Sequence, residues 1–102
     1  MNHDMTFSGK RILFLGAHPD DIEIGCGALI SHIAARTEIK CVTLSDNQKN
    51  PTLKNVVSEH YRSMEILGLK KDNIIVGQFE TRRFPQARQE ILEYMINLNH
   101  EF

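Results

Sequence analysis

His18, Asp20, Asp21 and Glu23 crowd into six consecutive positions, within Gly-Ala-His-Pro-Asp-Asp-Ile-Glu at residues 16–23. An imidazole and a carboxylate three positions apart, as His18 and Asp21 are, can converge on one cation where the chain turns. Neutral imidazole with carboxylate is a borderline-hard donor set suited to Zn2+. The acid left over, Asp20, can then take a proton from water activated at such a centre. Pro19 restricts the backbone between His18 and Asp20. The spacing alone is weakly specific, because many surface loops contain His and Asp.

Such residues need a frame. Residues 11–15 form a short continuous apolar run, the pattern of a buried parallel strand. A helix is predicted over 24–36, with Leu29, Ile30 and Ile33 on one face. A second strand, rich in β-branched residues, is predicted over 39–44. A polar loop over 45–52 follows, with Asp46, Asn47, Asn50 and Pro51 as turn formers. The second helix spans 53–67, with Leu53, Val56, Val57, His60, Met64 and Leu67 at helical spacing. Gly68 stops it as a left-handed cap. A third strand covers 73–76, and a loop bearing Glu80, Arg82 and Arg83 leads to a helix from about Pro85. Ile91, Met95, Leu98 and Phe102 line one side of that helix. Strand–helix alternation with short connections implies right-handed crossovers and a parallel sheet, hence an α/β fold. The acidic loop then lies beyond the carboxyl end of the first strand, where open α/β sheets bind ligands.

The chain has 102 residues, with 12 Lys plus Arg against 13 Asp plus Glu and a formal net charge of -1. No basic excess exists to release counterions from nucleic acid, so nucleic acid is not an expected partner. Cys26 and Cys41 match no metal or redox spacing and read as reduced, semi-buried hydrophobes. No apolar run has the length of a membrane span, and residues 1–10 are too polar for a leader. The expected setting is soluble and cytoplasmic. The last helix reaches the final residue without a stop signal, and three strands leave an uncovered sheet edge. The expectation is that residues 1–102 form the N-terminal part of one larger domain, cut after its third strand–helix unit and prone to self-association.

Other candidates carry weaker signals. Ser45 and Asp46, ending the second strand beside the loop, could support the site or simply make a turn. Glu23 is expected to support the loop from the helix start, where a carboxylate complements the macrodipole, and not to bind metal. Arg82 and Arg83 could hold a substrate phosphate or carboxylate bidentately, or stand in a solvated loop. His60, on an apolar helix face, reads as a satisfied core histidine. A dinucleotide site is disfavoured, because Gly25 and Gly27 follow an acidic loop that would repel pyrophosphate.

His-Pro-Asp-Asp, placed after an apolar strand and before Glu-Ile-Gly-Cys-Gly at 23–27, resembles the LmbE-like, PIG-L-type de-N-acetylase family. The resemblance runs on through Thr43-Leu44-Ser45-Asp46 and Ile66-Leu67-Gly68-Leu69. It implies a Rossmann-like three-layer α/β/α fold, Zn2+ as cofactor, and removal of acetyl groups from N-acetylglucosamine-type sugars. By motif, His18 and Asp21 match metal ligands and Asp20 matches the general base. Three departures stand out. Ile22 follows the second Asp where many members have Glu, a variant similar to the bacillithiol-pathway deacetylases. Val56 stands where many members carry an Arg. Nothing after Phe84 matches the family's later His-x-Asp-His-like motif, which supplies the third ligand; His100 stands without that context. The alternative reading is therefore a non-catalytic α/β remnant or partner-binding module without metal chemistry.

Overall fold

The computed structural model describes residues 10–46 and 55–101. In chain order it contains β1 (Arg11–Gly16), α1 (Asp21–Ile33), β2 (Glu38–Thr43), α2 (Val56–Ile66), a 3-10 turn (Lys71–Asn73), β3 (Ile74–Val76), a second 3-10 turn (Thr81–Arg83) and α3 (Arg88–Glu101). The sheet order is β1-β2-β3 with both pairs parallel. β1 lies along β2 from Arg11 opposite Glu38 to Gly16 opposite Thr43. β3 lies along only the last half of β2, from Cys41 opposite Ile74 to Thr43 opposite Val76. With helices flanking the sheet, the architecture is three-layer α/β/α and Rossmann-like.

β2 is central, and its Cys41, Val42 and Thr43 are fully buried. Ile22, Ile30 and Ile33 of α1 pack on the sheet with Ile39, Met64, Leu69 and Ile74. Fully burying a side chain such as Ile30 contributes roughly 1.5–3 kcal/mol relative to leaving it in water.

The elements differ from expectation at their edges. α1 begins at Asp21 instead of 24, because a tight turn ends at Asp20 and hands directly to the helix. It ends at Ile33, where residues 34–36 turn and the Arg36 amide bonds the Ile33 carbonyl. The earlier start adds Ile22 to the buried stripe of Ile30 and Ile33, while Leu29 lies at the rim of that stripe, 37% exposed. β2 is shifted back by one residue at each end. α2 buries only His60 and Met64 of its predicted face; Val56, Val57 and Leu67 are half-buried. Leu53, and the loop residues Asn47, Asn50 and Pro51, lie outside the described residues, as do His3 and Phe102. α3 starts at Arg88, because residues 84–87 form a turn, so Pro85 is not in its first helical turn. Gly68 has φ +109 and closes α2 as expected. Among the described residues no helix is long and apolar enough to cross a membrane.

Candidate metal-binding and catalytic site

The loop after β1 is one tight turn. The Asp21 amide donates to the His18 carbonyl at 3.2 Å. Asp20 has φ 81 and ψ -22, the only positive φ outside glycine among the described residues. Proline second and a left-handed residue third is the pattern of a type II turn, so His-Pro-Asp-Asp encodes its own geometry. Asp tolerates the left-handed region better than most residues, yet the conformation still costs on the order of 1 kcal/mol. The Ile24 amide then bonds the Asp20 carbonyl at 2.9 Å and α1 begins. Gly16 lets the turn fold back this closely: a Cβ there would lie 2.9 Å from Ile22 Cγ1.

This turn brings His18 and Asp21 together. The His18 backbone N–H donates to Asp21 Oδ2 at 2.9 Å. His18 Nδ1 lies 3.5 Å from the same oxygen. Two donors at ordinary zinc distances on a tetrahedron are separated by about 3.4 Å, so this pair has the edge length that zinc requires. The ring stacks on Phe84, with centroids 5.7 Å apart and planes 12° from parallel. Its other nitrogen, Nε2, is buried without a hydrogen-bond partner. Asp20 is exposed at the turn, as a proton acceptor for an incoming water must be.

The fit to a metal is nonetheless incomplete. Catalytic zinc takes three protein ligands and keeps one position open. Among the described residues no three His, Cys, Asp or Glu side chains converge on one point. His100, in the last turn of α3, is exposed.

Glu23 points elsewhere. From the first turn of α1, its Oε2 accepts from Ser63 Oγ at 2.8 Å and from His60 Nδ1 at 2.9 Å. His60 is 2% exposed, and its Nε2 lies 3.3 Å from Thr43 Oγ1. An ionised carboxylate only accepts, so Nδ1 carries the proton. Hydroxyl, imidazole and carboxylate in this order match a nucleophile triad, but Thr43 is wholly buried and no substrate reaches it. Sequence reasoning missed this pairing across 37 positions. The available signal was a histidine on an apolar face, which must find buried partners.

The remaining candidates sit on neighbouring loops. Ser45 and Asp46 are buried beyond the end of β2, and the Ser45 amide donates to the Ala17 carbonyl at 2.9 Å. Ser45 Oγ bonds Thr81 Oγ1 at 3.0 Å, tying the second 3-10 turn to the sheet end. Arg82 and Arg83 lie on that turn and are exposed. Arg83 pairs with Glu80 at 3.0 Å, a surface contact of little energetic weight. Cys26 and Cys41 are free thiols. Burial, with smaller contributions from Glu23 and Cys26, pushes the Cys41 thiol up to about 12.

Residues 13–102 match the family described as PIG-L, GlcNAc-PI de-N-acetylase. A stretch of 27 residues is 59% identical to the "Uncharacterized deacetylase YaiS" of Escherichia coli (strain K12). That stretch is 26% of this chain and spans only 15% of the bacterial protein. No solved structure matches the chain.

Proposed function

The chain belongs to the PIG-L, GlcNAc-PI de-N-acetylase family, and from that membership we propose that its His-Pro-Asp-Asp turn serves the hydrolysis of an acetamide on an N-acetylglucosamine-type sugar or conjugate. The observation that carries this is the His18–Asp21 pair, set 3.5 Å apart beyond the carboxyl end of β1. In this reading His18 and Asp21 supply two donors to Zn2+, and a third comes from outside the described residues. Bound Zn2+ would polarise the acetyl carbonyl and lower the pKa of water toward ~7. Asp20, exposed at the turn, takes the proton from the attacking water and can return it to the departing amine. The products are acetate and a free amino sugar. In this reading Arg82 and Arg83, exposed on the turn after β3, take an anionic group of the conjugate. The setting of the reaction is aqueous and cytoplasmic.

A second reading is favoured by one observation, the lack of a third converging donor among the described residues. In it, the chain is a partner-binding α/β module without metal chemistry. Metal analysis of the dialysed chain separates the two, together with acetate release from N-acetylglucosamine derivatives. The expected result is weakly held zinc, lost in His18→Ala and in Asp21→Ala, and no acetate release by the chain alone. Zinc retained in both variants would overturn the donor assignment. Absence of any zinc binding by the wild type would favour the second reading. One tightly held zinc with acetate release would refute the two-donor description.

A further inference from the structure

The turn is closed by its own hydrogen bonds, from the Asp21 amide to the His18 carbonyl and from the His18 amide to Asp21 Oδ2, yet it still carries a left-handed residue. Asp20 occupies the N-cap position of α1 but its side chain makes no capping bond. A residue held at positive φ persists only where its surroundings over-determine it. Two segments bracket the turn. Its exit is the first turn of α1, which carries Glu23. Its floor is the end of β2, where the Leu44 and Ser45 amides bond the Gly16 and Ala17 carbonyls, both at 2.9 Å. One buried side chain reaches both: His60 bonds Glu23 through Nδ1 and Thr43, next to Leu44, through Nε2.

We propose that His60 is a positioning residue which, acting through Glu23 and Thr43, fixes the His18–Asp21 turn that it does not touch. Glu23 is held at the one carboxylate oxygen that faces α2, by His60 and Ser63 together. That anchor sets where α1 begins, and so where Asp20 and Asp21 stand relative to β1. The alternative is that the same groups merely satisfy each other inside the core. Its consequence for metal rests on His18 and Asp21 being donors; its consequence for the turn does not.

The test uses the full chain and compares wild type, His60→Phe and the double variant Glu23→Leu/His60→Phe. Three quantities are read: melting temperature, amide hydrogen exchange at Asp21 and Ile24 against Cys41 and Val42, and zinc affinity by competition. His60→Phe should lower the melting temperature, because it takes from a half-buried carboxylate one of its two partners. The double variant replaces the buried pair with apolar groups and should recover much of that loss. The Asp21 and Ile24 amides should still exchange about tenfold or more faster than in wild type, with the β2 amides unchanged. Zinc should remain bound about 10–100-fold more weakly, the usual effect of losing an outer support. A double variant with recovered stability and wild-type protection at Asp21 and Ile24 overturns the proposal, since a core-filling role predicts that. Wild-type chain that takes up no zinc defeats the metal reading alone, and the amide result still decides the positioning role. Where the Phe variants do not fold, Glu23→Ala and Glu23→Gln decide it. Gln keeps an oxygen that accepts from both His60 and Ser63. Fast exchange in Glu23→Ala with protection kept in Glu23→Gln supports the proposal, and equal exchange in the two overturns it.

Discussion

Asp20 is strained, and the proposed function asks it to be reactive as well. Its φ of 81 suits glycine better than aspartate. Asp20→Gly should therefore leave stability in urea titrations unchanged or raise it by up to about 0.5 kcal/mol, the left-handed cost less glycine's extra entropy. Asp20→Asn keeps the turn, since Asn also tolerates that region. In a deacetylase-competent form it should keep zinc and lose turnover by roughly 10²–10⁴, the usual share of a general base. Near-normal turnover would remove Asp20 from the base role. Cys41 gives a second residue-scale expectation. Its thiol is raised from 9.0 to about 12 in the folded chain, so the neutral form is favoured there. Its share of stability is intact below pH 9 and falls as pH rises from 9 toward 12, where only the unfolded chain ionises. Comparing denaturation midpoints of wild type and Cys41→Ala across that range isolates the effect. At neutral pH an alkylating reagent should modify half-buried Cys26 well before Cys41.

Between α2 and β3, Gly68 holds φ +109, and a Cβ there would sit 3.0 Å from Ala34 Cβ. Gly68→Ala should cost about 1–2 kcal/mol by chemical denaturation, because strain and crowding act together. This stop was legible in the sequence, as was the strand–helix alternation, because glycine and short apolar runs act locally. The turn at 18–21 was half legible. Pro19 announced a restricted backbone, but the left-handed Asp20 that starts α1 three residues early has no compositional mark. That shift is why Ile22, read as part of the loop, belongs instead to the buried face of α1. The 3-10 turns at 71–73 and 81–83 left no periodic signal, being shorter than one repeat. In the site, the pairing of His18 with Asp21 could be read from spacing and motif. The Glu23–His60 bond could not, since it depends on how α1 and α2 pack. The stack of Phe84 on His18 was hidden for the same reason.

At the scale of the molecule, β1 and β3 are both edges of the described sheet, and two apolar side chains of the helices stand in water. Ile24 is 85% exposed and Ile66 79%. Unpaired parallel edges with apolar neighbours tend to find another chain. Sedimentation velocity should show association that grows with concentration, and Ile24→Lys with Ile66→Lys should reduce it. A monomer at every concentration would count against self-association. The pairing of the strands has a kinetic side as well. β1 grips β2 over six positions and β3 over three, all at one end. The last strand can come away without unzipping the first two, so amide exchange is expected to be faster in the unit that follows α2 than in β1 and β2. Thr81 and Phe84 belong to that unit, while His18, Asp20 and Asp21 follow β1. Opening of that unit would take Phe84 off the His18 ring and give its buried nitrogen to water, so the weakest seam of the sheet would set how often solvent reaches the site.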